Sequence, residues 1–292
     1  MKKILITGAG SYIGTSFENY INTNFPELYT VDTLDMTNDG WRDFNFSGYD
    51  SVYHVAGIAH SDTERHMSEE KRALYQCVNT DLSIEVAERA KADGVSQFVF
   101  MSSAIVYGNS APIGKSKVIT KETLPTPKNV YAMSKLLAEQ GFSHLADDEF
   151  KVCIIRSPMV YGKGSRGNYL LMSRMARKLP IFPKVDNCRS MIYIENLVEF
   201  VRLMIENCES GVFLPQNKEY TVTTEMIAMI AEASGKRIRL VRGFTWMLKL
   251  LSLFTGKVNK AFGSLCYDQS ISEYKQEYRK YTLAESIKIT ES

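Results

Sequence analysis

The sequence predicts an α/β protein built on a doubly wound parallel sheet, with a smaller α/β lobe following it. Three observations carry this. Short apolar runs alternate with longer helical patterns through the N-terminal half, as strands covered on both faces by crossover helices require. A Gly-rich segment sits at the first strand-to-helix junction. After Pro158 the pattern loosens, with Gly162, Gly164, Gly167, Pro180 and Pro183 interrupting it. A chain of 292 residues can bury a sizeable core and is near the size at which cores divide. We therefore read two interleaved lobes, 1–157 and 158–292.

Ile4–Ile6 reads as the first strand and Tyr12–Phe25 as the helix after it. Tyr29–Asp32, Ser51–Val55 and Gln97–Met101 read as further strands. Leu74–Ala92 reads as one long helix with Leu82, Val86 and Ala90 on one face. Tyr131–Leu145 continues as a helix and Val152–Arg156 as a strand. In the second lobe the helices are Leu170–Lys178, Glu195–Asn207 and Thr224–Ser234. The opening MKKILITGAG has two lysines before an apolar run, but Gly8 breaks the run before it reaches the length of a signal h-region. No apolar stretch reaches membrane-span length. The densest, Trp246–Phe254, is interrupted by Lys249 and Ser252 and reads as a core or lid helix.

Composition excludes several functions. Lys+Arg 35 against Asp+Glu 33 leaves a net charge of +2, which gives no footing for nucleic acid or an acidic membrane surface. Cys77, Cys153, Cys188, Cys208 and Cys266 are odd in number, scattered and never spaced as a metal knuckle. They read as buried free thiols in a reducing cytoplasm, and no metal is expected.

Two constellations carry chemistry. The first is Thr7-Gly-Ala-Gly-Ser-Tyr-Ile-Gly14. A Gly-rich turn between strand and helix lets backbone approach a pyrophosphate and aims a helix N-terminus at it. Ser11 stands at the usual middle glycine, with Gly10 just before it. Asp32, placed at the end of the second strand, is positioned to bond the adenosine ribose and to repel a 2′-phosphate. That favours NAD, with NADP the alternative. The second is Tyr131-Ala-Met-Ser-Lys135 on a helix, where residues four apart share a face. A neighbouring ammonium lowers a phenol's pKa, making it a usable acid or base. Upstream, Phe98-Val-Phe-Met-Ser-Ser103 is a strand whose hydroxyls end at the carboxyl edge, where parallel sheets place their sites.

The Gly-rich turn, Ser102-Ser-Ala-Ile-Val-Tyr-Gly108 and Tyr-x-x-x-Lys, in this order and spacing, resemble the extended short-chain dehydrogenase/reductase family, the NAD-dependent epimerases and dehydratases. The resemblance covers nearly the whole chain. It implies a Rossmann-type fold binding NAD(P), with Ser103, Tyr131 and Lys135 as the catalytic triad. It further implies cofactor contacts from Gly8, Ser11, Tyr12, Ile13, Gly14, Asp32, Asp35, Met36, Ala56, Gly57 and Asn79, and from Tyr131, Lys135 and Pro158. A helix-surface amide is the alternative reading of Asn79. Substrate contacts implied are Ser103, Met159, Asn168 and Arg189, the arginine suited to two phosphate oxygens by its planar fork. Arg239 and Arg242 are candidates for a second phosphate clamp. The resemblance implies a UDP-sugar substrate and a homodimer.

Departures narrow the choice. Where 4,6-dehydratases of this family carry Asp and Glu after the hydroxyl residue, this chain has Ala104 and Ile105, which transfer no proton. Met159 stands where 4-epimerases usually carry an asparagine. Ile113-Gly-Lys-Ser116, Ser165-Arg-Gly-Asn168, Lys178-Leu-Pro-Ile-Phe-Pro183, Arg189-Ser190 and Phe262-Gly-Ser-Leu265 resemble the capsule and O-antigen 4-ketoreductases. These act on UDP-4-keto-6-deoxy-N-acetylhexosamines. A UDP-glucose or UDP-N-acetylglucosamine 4-epimerase is the alternative, and a non-catalytic NAD sensor is the alternative of another class.

Overall fold

In the computed structural model, residues 1–59, 67–165, 167–254 and 256–292 are described. The chain runs β1 (Lys2–Thr7), α1 (Tyr12–Asn24), β2 (Tyr29–Leu34), β3 (Ser51–His54), α2 (Glu69–Gln76), α3 (Leu82–Ala92), β4 (Gln97–Ser103) and β5 (Val118–Ile119). It continues through α4 (Val130–Gly141), β6 (Lys151–Ser157), β7 (Met159–Tyr161), α5 (Asn168–Lys178), β8 (Ile181–Pro183), β9 (Met191–Tyr193), α6 (Ile194–Glu206) and β10 (Gly211–Phe213). It ends with α7 (Thr223–Ala233), β11 (Arg239–Val241), α8 (Thr245–Phe254), α9 (Gly256–Phe262), β12 (Cys266–Tyr267) and α10 (Leu283–Glu291).

Two units emerge. The first comprises Met1–Gly108, Pro125–Ser157 and Val198–Leu214. Its six-stranded sheet has the order β2-β1-β3-β4-β6-β10, and every neighbouring pair is parallel. The strand order reverses between β1 and β3, and open α/β sheets bind ligands in the crevice beyond such a reversal. Both faces are covered, which is why β1, β3 and β4 read as apolar runs and not as alternating patterns. On one face Leu5, Val52, Phe98 and Phe100 pack with Val86 and Ala90 of α3, with Ala138 of α4 and with Phe142 just after it. On the other, Phe17 of α1 meets Tyr53 edge-on, ring centroids 5.1 Å apart. Burying each such side chain contributes about 1.5–3 kcal/mol.

Two features of this unit depart from the sequence reading. The helix read as Leu74–Ala92 starts earlier, capped by Ser68, and is interrupted by a π-helical turn at Cys77–Asp81. The Glu195–Asn207 helix, read as part of the second lobe, groups with the first unit from Val198 onward. The reason is that the chain after it returns as β10 to extend the sheet beside β6.

The second unit comprises Asn109–Leu124, Pro158–Leu197 and Pro215–Ser292. Three two-stranded parallel sheets, β7-β9, β8-β11 and β5-β12, brace its helices. Tyr161 stacks on Tyr169 with centroids 5.4 Å apart and hydrogen-bonds Ser286 of α10 at 2.7 Å. Glu291 accepts from Tyr169, Ser173 and Arg177 of α5. In α8, Leu248 packs with Ile113 and Val185, while Trp246 is exposed. Among the described residues no helix is long and apolar enough to cross a membrane, and no His/Cys/Asp/Glu cluster could hold a metal. All five cysteines are unbridged. Cys153 and Cys266 are buried, but Cys77 and Cys208 are exposed, which corrects the reading of all five as buried thiols.

Candidate active site

The Gly-rich turn leaves β1 at its carboxyl end. Gly8 has φ +111°, and a Cβ there would lie 2.7 Å from the Ala56 nitrogen. Only glycine lets the two strand ends come this close. Gly10, φ +73°, has nothing within 4 Å of a Cβ position, so bare backbone borders open space. Ser11 fills the place of the middle glycine with a role of its own. It caps α1, accepting the Gly14 N–H at 3.2 Å. Tyr12 and Ile13 follow as the first helical residues, where backbone N–H groups lack intrahelical acceptors. Such a turn suits a dinucleotide's diphosphate.

Asp32, read as the ribose contact, lies within β2. The sequence places Asp32 at the end of β2, but the strand continues to Leu34, because Thr33 and Leu34 stay in the ladder opposite Ile6 and Thr7. The Tyr49 hydroxyl donates to Asp32 at 2.8 Å. Gly8 and Ala9 both donate to the Leu34 carbonyl, at 2.9 and 3.2 Å. Asp35 is thus the first residue past the ladder beside the Gly-rich turn. The Thr37 N–H and hydroxyl donate to its carboxylate, both at 2.9 Å, and hold it below the usual carboxylate range. Met36 then lines a cavity of about 310 Å³ of mixed character, with Trp41, Val78 and Leu82 beside Asp39, Arg42 and Glu85.

The π-helical turn explains Asn79. An extra residue in a helix re-aims the side chains of that turn, and here Asn79 is fully buried. Its Oδ1 accepts from the Ile58 N–H at 2.8 Å, and its Nδ2 donates to Ser134 Oγ at 3.1 Å. It is not a surface amide. A Cβ on Gly57 would meet Asn79 Oδ1 at 2.9 Å and Lys135 Nζ at 3.3 Å, so the Ala56–Gly57 floor lies directly against the lysine.

Ser103 ends β4, and α4 brings Tyr131 to it. Asn129 caps α4 by accepting the Ala132 N–H at 2.6 Å, which fixes the helix start one residue before the tyrosine. Ser103 and Tyr131 hydrogen-bond. Burial pushes the phenol up to about 12, the Ser103 bond opposes this, and neighbouring Tyr75 adds to it. The phenol is therefore protonated at neutral pH and ready to donate. Lys135, one turn on, donates to the Met101 carbonyl at 2.9 Å and sits over the Phe100 ring, 4.4 Å from its centroid. Burial lowers its ammonium to about 8, against the opposing effect of Glu139. Burial, Ser103 and Tyr75 thus set the phenol's resting value. Tyr75 is a residue the sequence reading missed. It is buried, with its ring 6.4 Å from that of Tyr131, and its signal was its place one turn before Asn79.

Within the second unit, Met159 opens β7 and pairs with Met191 directly after Pro158. Asn168 is the exposed first residue of α5. Arg166, from the same motif, lies outside the described residues. Arg189 is bridged on one side to Thr221 and on the other to Leu265. Its Nη1 donates to the Ala261 carbonyl at 3.2 Å, and burial lowers the guanidinium's pKa. A desolvated arginine is a strong partner for an anion. Arg239 and Arg242 are both exposed.

Comparison with known proteins agrees with this geometry. Residues 4–222 match the NAD dependent epimerase/dehydratase family. The chain is 28% identical to the UDP-glucose 4-epimerase of Vibrio cholerae, over 92% of this chain and 88% of that one. It is 23% identical to a UDP-2-acetamido-2,6-beta-L-arabino-hexul-4-ose reductase of Pseudomonas aeruginosa, over 77% of this chain and 56% of the other. Among solved structures, UDP-glucuronic acid 4-epimerase from Bacillus cereus, in complex with NAD, superposes with a TM-score of 0.73 at 19% identity. The alignment covers 98% of this chain and 96% of that one. RMD from Pseudomonas aeruginosa, complexed with NADPH, gives 0.75 at 17% identity, over 99% and 98%. These two likenesses speak to the fold. A bare glycine turn at the sheet's reversal point, a Ser–Tyr–Lys set on β4 and α4, and a match across 4–222 together show that the chain belongs to the NAD-dependent epimerase/dehydratase family of extended short-chain dehydrogenases.

Proposed function

We propose that the protein is a nucleotide-sugar oxidoreductase working at the sugar's 4-position, reducing a UDP-4-keto-6-deoxy-N-acetylhexosamine. The observation that carries this is the Ser103–Tyr131 pair: a phenol protonated at neutral pH, bonded to a hydroxyl at the sheet's carboxyl edge. Such a pair is set to deliver a proton to a carbonyl oxygen. Elimination of water needs two further proton-transfer groups, and the residues after Ser103 are Ala104 and Ile105.

The cofactor residues fit NAD(P). Gly8, Gly10, Ser11, Tyr12, Ile13 and Gly14 would hold its diphosphate, Asp35 its adenosine ribose, Met36 its adenine, and Ala56–Gly57, Asn79 and Lys135 its other ribose; Pro158 of the second unit would be a further contact. When bound, the nicotinamide supplies hydride to the sugar carbon. Tyr131 donates its proton to the 4-oxygen. Ser103 hydrogen-bonds that oxygen as charge develops. Lys135 steadies the cofactor and supports the phenolate left on Tyr131. Arg189 pairs with the substrate diphosphate, and Met159 and Asn168 contact the sugar nucleotide.

A second reading, UDP-glucose or UDP-N-acetylglucosamine 4-epimerase, is favoured by the 28% identity to the Vibrio cholerae enzyme across 92% of this chain. It uses the same residues in both directions. Cofactor retention separates the two. The protein is purified, denatured, and the supernatant analysed for NAD(H). A reductase releases little and consumes added NAD(P)H in proportion to product. Stoichiometric retained NAD, with turnover needing no addition, would favour the epimerase.

A further inference from the structure

Behind the triad lies a charge cluster that the proposed mechanism does not use. Glu139 is buried on α4, one turn beyond Lys135 and two beyond Tyr131. Residues four apart on a helix are neighbours, so the phenol, the ammonium and the carboxylate form one stripe. Arg156 of β6 grips the carboxylate from the far side, with Nε 3.2 and 3.1 Å from its two oxygens and Nη2 at 2.6 Å. Ser102, next to Ser103, donates its hydroxyl to the same carboxylate. Arg156 Nη1 donates in turn to the Tyr107 hydroxyl at 2.8 Å, and Tyr107 closes the short helical turn Ala104–Tyr107 that follows Ser103.

We propose that Glu139 is a positioning residue, serving both as the counter-charge of Lys135 and as the tie that holds the Ser103 strand end against the Tyr131 helix. The proposal rests on the reading of Ser103, Tyr131 and Lys135 as the catalytic set. The geometry has two consequences. Ser102 and Tyr107 bracket Ser103, and both reach the Glu139–Arg156 pair, so Ser103 is fixed on either side by one buried ion pair. Lys135 is buried with few opposite charges. The groups facing it are Tyr131 and Glu139 on its own helix and His54 on β3, itself neutral because burial and Lys135 push its titration down to about 3. Beyond these stand Tyr75 across the phenol and Arg156 across the carboxylate. Of these, Glu139 is the one whose charge favours the ammonium.

The test is the pH dependence of NAD affinity between pH 6 and 10, measured by calorimetry on wild type, Glu139→Gln and Glu139→Asp, with thermal unfolding in parallel. Charged donors bind ribose hydroxyls more strongly than neutral ones, so the alkaline loss of NAD affinity reports the Lys135 ammonium. In Glu139→Gln this loss should move to lower pH, with affinity at pH 8 weakened by up to about tenfold per unit of displacement. Glu139→Asp, which keeps the charge on a shorter arm, should restore most of the profile. If the glutamine variant does not fold, the aspartate variant alone must show a smaller shift in the same direction. Superimposable profiles for wild type and a folded Glu139→Gln, or for wild type and Glu139→Asp where the glutamine variant does not fold, would overturn the proposal, whatever the change in melting temperature. If wild type binds NAD with this profile yet turns over no UDP-sugar, the proposed function fails while the role of Glu139 is still decided.

Discussion

The Gly8 N–H donates to the Leu34 carbonyl at 2.9 Å, and that bond marks where the β1–β2 ladder ends and the Gly-rich turn begins. Asp35 is the next residue. A carboxylate there stands at the sheet edge. Asp32 lies three residues back, about 10 Å along an extended strand, and is bonded to Tyr49. Asp35→Ala should therefore erode the preference for NAD over NADP, by about 1–3 kcal/mol for a charge-assisted hydrogen bond. Asp32→Ala should change it little. Titrating both cofactors against the three proteins checks this, and a larger effect at Asp32 would return the ribose role to that residue.

Gly8 itself is irreplaceable on geometric grounds. Alanine would carry a Cβ 2.7 Å from the Ala56 nitrogen at φ +111°. Strain of about 1–3 kcal/mol follows from the backbone conformation alone, and the clash pushes the two strand ends apart. Gly8→Ala should lower the melting temperature and weaken NAD binding together. Gly10→Ala should cost less stability, since nothing stands within 4 Å of its Cβ position.

Tyr131→Phe should leave NAD binding nearly intact and reduce turnover by about 10²–10⁴, as loss of a general acid does. With the phenol at about 12 and Lys135 at about 8, reduction should proceed at neutral pH and decline as pH rises through the lysine's titration. Steady-state rates across pH 6–10 read both effects. A phenylalanine variant with near-normal turnover would remove Tyr131 from the mechanism.

His54 makes an acid-stability prediction. Its imidazole is buried between Thr7, 2.7 Å from Nδ1, and Ser83, 3.0 Å from Nε2, and burial lowers its pKa from 6.5 to about 3. The neutral ring's contribution is fully present above the unfolded value of 6.5. It is lost progressively as pH falls toward 3, at about 1.4 kcal/mol per unit. Urea unfolding at pH 7, 5 and 4 should show this decline, and a variant lacking the histidine should show less of it.

The alternating strands and helices, the Gly-rich turn and the Ser103–Tyr131–Lys135 spacing were legible because periodicity and motif are local. The end of β2 was not: Thr33 and Leu34 suit a strand as well as a loop, and only pairing with Ile6 and Thr7 decides. The π-helical turn left no trace, since one inserted residue hardly disturbs an apolar stripe, yet it is what buries Asn79. Strands of two or three residues, such as β5 and β12, are too short for an alternation to show. β10 belongs to the first unit through its pairing with β6, a relation some sixty residues apart in sequence that no local pattern carries. The Glu139–Arg156 pair escaped for the same reason, its partners lying on different elements.

The most direct measurement of the central claim uses three parallel incubations of the purified protein, followed by NMR and mass spectrometry. One contains a UDP-4-keto-6-deoxy-N-acetylhexosamine with NADH or NADPH, one UDP-glucose alone, and one UDP-N-acetylglucosamine alone. The account predicts conversion of the ketone to a 4-hydroxy sugar with equimolar oxidation of the nicotinamide, and no change in the other two. Interconversion of UDP-glucose with UDP-galactose, or of the N-acetyl pair, without added cofactor would contradict it and establish the epimerase.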